Sequence, residues 1–137
     1  MYELIRKYEG LKLDSYLCPN GMASIGYGSR IMDGCAVKLG MTITKEKAEQ
    51  MMLDWIEKEI KPHIAYLELK GKQEEALISL IYNIGVPKFM RSNLKVAIEN
   101  KDYEAICREW DFGFKYHHIK GIFKRRTEEL FWFISEI

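Results

Sequence analysis

The stretch that decides the fold covers residues 9–28, EGLKLDSYLCPNGMASIGYG. Glu9 closes a short amphipathic segment and Gly10 follows it; glycine is the usual residue just past a helix end. Two short runs then read as strands, at about 13–17 and 22–27. Pro19-Asn20-Gly21 joins them, and Asn-Gly between apolar or aromatic runs is the strongest short hairpin signal. A carboxylate at a helix end thus faces a tight hairpin carrying Cys18 and Ser24. Gly26 and Gly28 leave the far strand thin, which admits a ligand close to the backbone.

Working back from that stretch, Leu4, Ile5 and Tyr8 fall at i, i+1 and i+4, one face of a helix. Glu9 ends this helix, where carbonyls point outward and their partial negative charge disfavours an ionised carboxylate. A carboxyl kept protonated is what a general acid needs at neutral pH.

The pattern E-G-L-x-L-x-x-Y, a turn ending in glycine, and then S-I-G-Y-G resembles the phage-type lysozymes, the endolysin muramidases. That family places Glu, then Asp or Cys nine residues on, then Thr six residues further, at its active site. Glu9, Cys18 and Ser24 stand at those positions here, and both spacings match. Ser24 replaces the threonine, and Ser29 follows the G-Y-G run where the family often has histidine. The competing reading of the same residues is a structural hairpin with a chance glutamate in front.

Working outward, the 137 residues fit one domain and can bury a core without staples. Apolar residues make up 47% and charged residues 30%, the balance of a soluble globule. Cys18, Cys35 and Cys107 are odd in number and lack CxxC spacing, which argues against a disulfide framework and a zinc site. No apolar run is long enough to span a membrane, and residues 1–10 lack the apolar core of a signal peptide. Net charge is +1, so no global field selects a polyanion. From Phe112 to Thr127, however, there are no acidic residues, while Lys115, Lys120, Lys124, Arg125 and Arg126 are basic. This is either a solvated face or an attraction to an acidic polymer such as the bacterial wall. No helix-turn-helix or zinc-finger pattern accompanies it to suggest nucleic acid.

Downstream, Thr44 is a good N-cap for a helix over about 45–67. Ala48, Met51, Met52, Trp55, Ile56, Ile60 and Ile64 give it a core stripe, and Pro62 is placed to kink it. A strongly apolar helix over 72–84 ends in Asn83-Ile84-Gly85, similar to the family's N-x-G before a loop and an aromatic residue. Asn83 either caps its own helix or donates hydrogen bonds to a sugar N-acetyl group. Ser92 caps a helix over 93–99, and Asp102 caps another over 103–110. Asp111-Phe112-Gly113 looks like the kinase metal motif but lacks the other kinase motifs. Tyr116, His117 and His118 read as a loop without a metal site. Gly121 to Phe131 resembles the family's G-L-x-x-R-R-x-x-E-x-x-L-F and opens the last helix, ending near Ser135. One of Arg125 and Arg126 could pair with Glu9; spacing does not say which. The alternative is surface charges balanced by Glu128 and Glu129 at i+3 and i+4.

The resemblance implies a mainly α-helical (α+β), lysozyme-like fold for residues 1–137. A small N-terminal β-hairpin lobe (about 1–45) and a helical C-terminal lobe (about 68–137) would be linked by the helix at 45–67, with sugar chains threading between the lobes. It implies hydrolysis of the β-1,4 bond between N-acetylmuramic acid and N-acetylglucosamine in peptidoglycan by a monomer made in the host cytoplasm and acting at the wall. Glu9, Cys18 and Ser24 would be catalytic. Tyr16, Gly26, Asn83, Arg125 and Arg126 would bind substrate, with no metal or cofactor. Two other readings share these residues: a wall-binding module with little catalysis, and a transglycosylase that uses one glutamate and releases a 1,6-anhydro product.

Overall fold

A computed structural model describes residues 1–110 and 120–137. The readings of Asp111-Phe112-Gly113, Tyr116, His117 and His118, and the part of the basic stretch that holds the Lys115 and Lys120 side chains, lie outside the described residues. The chain divides into two units, Ile5–Lys58 on the one hand and Met1–Leu4 with Glu59–Ile137 on the other.

Helix α1 (Glu3–Glu9) ends in an αL cap. Gly10 takes φ +70°, and its N–H donates to the Arg6 carbonyl at 3.2 Å, the bond that satisfies an orphan carbonyl of the last turn. Strands β1 (Lys12–Leu17) and β2 (Ala23–Gly26) follow as an antiparallel hairpin, with Tyr16 opposite Ser24 and Leu17 opposite Ala23. The Gly21 N–H closes the turn onto the Cys18 carbonyl at 2.9 Å, and the Cys18 N–H returns to Met22 at 2.8 Å. With Pro19 and Asn20 inside and Gly21 at φ +83°, this is the longer hairpin loop whose last residue is left-handed, not a two-residue Asn-Gly turn. Asn20 still contributes, its Oδ1 accepting from the Met22 N–H at 3.0 Å.

Residues 29–41, which read as loop with a short third strand, contain a second small hairpin. Strands β3 (Ile31–Met32) and β4 (Cys35–Ala36) pair across Asp33 and Gly34, at φ +51° and +81°. Positive φ at both central residues is the mirror-image turn that Asp-Gly favours. Ile25, Val37 and Met51 form the core of this unit, flanked by Ala23, Met32, Met41 and Ile43.

Helix α2 (Lys45–Trp55) is capped by Thr44, whose side chain accepts from the Lys47 N–H at 3.1 Å. The helical path then changes character instead of simply kinking. A π-helical turn spans Ile56–Ile60, α3 (Lys61–Ile64) follows with Pro62 in its first turn, and a 3-10 turn spans Ala65–Leu67. Pro62 has no N–H to donate and its ring crowds the carbonyl four residues earlier. The wide π turn sits directly before it and accommodates that clash.

In the helical unit, α4 (Gly71–Ile84) buries six consecutive residues from Ala76 to Ile81. A helix buried on nearly all faces is central to its unit. It packs on α8 (Lys120–Ile134). Gly85 does not lead into a loop: α5 (Val86–Met90) begins at once, with Pro87 in its first turn and Phe89 fully buried. Next come α6 (Asn93–Glu99), capped by Ser92, and α7 (Tyr103–Trp110), where Asp102 Oδ1 accepts from the Ala105 N–H at 3.1 Å. Trp110, fully buried, packs in a tilted arrangement against Phe133 of α8, ring centroids 5.0 Å apart. Such side chains are each worth about 1.5–3 kcal/mol on burial.

Candidate active site

Glu9 is the last residue of α1 and is half-buried. Its carboxylate lies against the backbone of Gly28: a Cβ there would come within 3.0 Å of Glu9 Oε1. Gly28 also sits at φ +83°, a region that L side chains rarely adopt. So Gly28 is glycine for two reasons, and one of them is the space Glu9 occupies.

Across the β1–β2 hairpin, Cys18 Sγ and Ser24 Oγ are hydrogen-bonded at 3.1 Å, and either can donate. The register explains the meeting. Tyr16 and Cys18 are two residues apart and so share a strand face. Ser24 is paired directly with Tyr16 and lies on that face. Ser24 is buried at 1% exposure, whereas Cys18 is half-exposed and its thiol is free. The Tyr16 phenol is pushed above its ordinary value, first by burial and then by Cys18 and Glu9, with Arg30 pulling it back. Tyr16 therefore stands within electrostatic reach of Cys18, Glu9 and Arg30. Sequence reading passed over Arg30, which carries no motif signal; its Nη1 rests 3.6 Å from Met22 Sδ.

Gly26 packs β2 onto helix α2. It is buried, and a Cβ on it would meet Ala48 Cβ at 3.2 Å and Ile43 Cδ1 at 3.4 Å. The thinness of β2 at this point lets it lie on α2.

In the helical unit, Arg125 and Arg126 are 4% and 2% exposed, and Glu129 is fully buried. Arg125 Nε lies 3.2 Å from Glu129 Oε2, and Arg126 Nε 3.0 Å from Oε1. The Ser79 hydroxyl donates to Glu129, and Arg125 Nη2 donates to the Ser79 carbonyl at 3.0 Å. The i+3 and i+4 spacing is thus used, but inside the unit and not on a helix surface. Both guanidiniums are buried within the unit. Burial pushes the Glu129 carboxyl up, and Arg126 and Arg125 pull it back. Asn83, at the exposed end of α4, accepts from Arg126 Nη2 at 3.0 Å through its Oδ1. Arg126 thereby orients an amide at the surface. Among the described residues, no group of three or more His, Cys, Asp or Glu side chains could hold a metal ion, and no helix is long and apolar enough to cross a membrane.

The phage lysozyme family model matches residues 6–129, a span that holds Glu9, Cys18, Ser24, Asn83 and the buried Arg125–Arg126–Glu129 group. The chain belongs to the phage lysozyme family. It is a glycoside hydrolase of the lysozyme class. The endolysin of Salmonella phage P22 is 35% identical over 105 residues, covering 74% of this chain and 71% of that protein. The endolysin of Acyrthosiphon pisum secondary endosymbiont phage 1 is 31% identical over 138 residues, covering 92% and 89%. Among solved structures, the endolysin from Escherichia coli O157:H7 phage FAHEc1 has a TM-score of 0.79 at 26% identity, over 99% of this chain and 91% of that one. A crystal structure of a point mutant of P22 lysozyme has a TM-score of 0.72 at 28% identity, over 97% and 94%. The mainly helical fold with a small hairpin is therefore the family's fold.

Proposed function

We propose that this lysozyme cleaves the β-1,4 bond between N-acetylmuramic acid and N-acetylglucosamine in peptidoglycan, working as a monomer at the bacterial cell wall during host lysis. Glu9 protonates the leaving glycosidic oxygen. Cys18 and Ser24 hold a water molecule that attacks the anomeric carbon from the opposite face; its proton leaves toward Cys18 Sγ and on to solvent as the bond to the leaving oxygen breaks, which inverts the configuration. The observation that carries this reading is the 3.1 Å pair of Cys18 Sγ and Ser24 Oγ on the hairpin face shared with Tyr16. The phenol of Tyr16 lies within electrostatic reach of both Cys18 and Glu9. Two adjacent polar groups, each able to accept or donate, are what a water needs to be oriented. An inverting site also requires room for that water between acid and base, roughly 6.5–9.5 Å.

Glu9→Gln keeps the shape but carries no transferable proton. Lysis of permeabilised Gram-negative cells by this variant is expected to fall by about 10²–10⁴-fold, the usual worth of a general acid. Lysis at near wild-type rate would remove Glu9 from the chemistry.

A further inference from the structure

Helix α2 carries a partly buried carboxylate, Glu49, that the reaction does not use. Glu49 follows the buried Ala48 and receives Arg6 on both of its oxygens, Nε and Nη2 each at 2.8 Å. This is the bidentate geometry in which an Arg–carboxylate pair is strongest and best oriented. The Tyr27 hydroxyl donates to Glu49 Oε1 at 3.1 Å. The Glu49 carboxyl is held below its ordinary value chiefly by Arg6, and Tyr27 adds to this.

Both partners flank Glu9. Arg6 is three residues before it in α1, and the Arg6 carbonyl accepts the Gly10 N–H that ends the helix. Tyr27 lies between Gly26, whose bare Cα lets β2 sit on Ala48, and Gly28, whose bare Cα makes room for Glu9 Oε1. Tyr27 is itself buried, at 4% exposure. One carboxylate therefore ties together the helix end that carries Glu9 and the backbone against which Glu9 rests. All four residues lie within the unit Ile5–Lys58.

We propose that Glu49 is a positioning residue for Glu9: by gripping Arg6 of α1 and Tyr27 of the Gly26-Tyr27-Gly28 segment from α2, it fixes where the Glu9 carboxyl stands. Glu49 touches no reacting atom. It acts through the two backbone segments that bracket Glu9, and this rests on Glu9 being the acid. Small displacements of a catalytic group are costly, since a misplacement of about 1 Å can lower a rate by about 10²-fold.

The test uses two variants of the full chain, Glu49→Gln and Tyr27→Phe, assayed on solubilised glycan strands below their unfolding temperatures, with rates expressed per folded molecule. Glu49→Gln keeps one acceptor but loses the charge that orients Arg6. Tyr27→Phe removes a single hydroxyl from a buried ring and still decides the matter if the first variant folds poorly. The expected result is a kcat lower by about 10–10²-fold for Glu49→Gln and by a smaller factor for Tyr27→Phe. KM should stay within about twofold, because substrate contacts are intact. A kcat per folded molecule equal to wild type in both variants, with any loss of activity traced to unfolded protein, would reduce Glu49 to a stabilising ion pair and overturn the proposal. Glu9→Gln, run alongside, separates the two ideas. An active Glu9→Gln removes the acid assignment itself, whereas an inactive Glu9→Gln beside fully active Glu49→Gln and Tyr27→Phe removes only the positioning role.

Discussion

Cys18 Sγ lies 3.1 Å from Ser24 Oγ, across the hairpin that carries both residues. The pair joins a half-exposed thiol to a buried hydroxyl, so the outer group meets solvent while the inner one holds it in place. If this pair holds the attacking water, the outer position tolerates a carboxylate better than an apolar group. Cys18→Asp is expected to retain activity and Cys18→Ala to lose much of it. Iodoacetamide should inactivate the wild type and spare Cys18→Asp. Lysis assays on the three proteins check this. An active Cys18→Ala beside an unstable Cys18→Asp would move the water-holding role onto Ser24 alone.

Gly28→Ala probes the seat of Glu9 from the other side. The new methyl would meet Glu9 Oε1 at 3.0 Å, and alanine would be forced to φ +83°. A left-handed backbone costs an L residue roughly 1–2 kcal/mol. Unfolding in urea should show that loss. Lysis should fall further than stability does, because Glu9 must shift to clear the methyl. Lysis that merely tracks the fraction folded would show that Glu9 is not crowded by position 28.

The buried charges of the helical unit predict a larger effect. Glu129 pairs with both Arg125 and Arg126 from a fully buried position. Glu129→Leu would leave two buried guanidiniums without that carboxylate, and breaking such a group from one side costs about 3–5 kcal/mol. Equilibrium unfolding in urea measures it. A loss below about 1 kcal/mol, the size of an exposed pair, would contradict the burial.

The fold was legible because its signals are local and chemically specific. Gly10 after Glu9, the Pro19-Asn20-Gly21 turn, and Thr44, Ser92 and Asp102 as caps each name a backbone geometry that few other residues satisfy. Asp33-Gly34 carried a signal of the same kind, and it marks the second hairpin; the strands it joins are only two residues long, too short to show alternation. The short helix α5 hid behind Gly85 and Pro87, which read as loop although Pro87 sits in a first turn, where a missing N–H costs nothing. Around Glu9, spacing could name the three family positions. It could not show that Gly26 serves α2, or that Arg125 and Arg126 turn inward to Glu129, because both depend on long-range packing. Glu49 was the hardest to see. Its only trace is an acidic residue beside Ala48, Met51 and Met52, the buried stripe of α2.

Acid should weaken the unit that contains Glu49. Arg6 and then Tyr27 depress the Glu49 carboxyl, with burial opposing them. A depressed folded-state pKa means that the stabilisation is present above the unfolded carboxyl value of about 4.3 and is lost as pH falls through the lower folded value. The thermal midpoint of the wild type is expected to exceed that of Glu49→Gln near neutral pH, and the gap should narrow below about pH 4. Using the difference between the two proteins cancels Glu129, whose carboxyl is shifted the other way. A gap independent of pH would show that the Arg6 contact does not depend on the charge of Glu49.

The most direct measurement is mass spectrometry of muropeptides released in water enriched in oxygen-18. If Glu9 donates the proton and a water held at Cys18 and Ser24 attacks, every newly cut N-acetylmuramic acid end carries one heavy oxygen and a free reducing end. Release of unlabelled 1,6-anhydro ends would mean that no water enters the bond-breaking step, and the role given to Cys18 and Ser24 would be wrong.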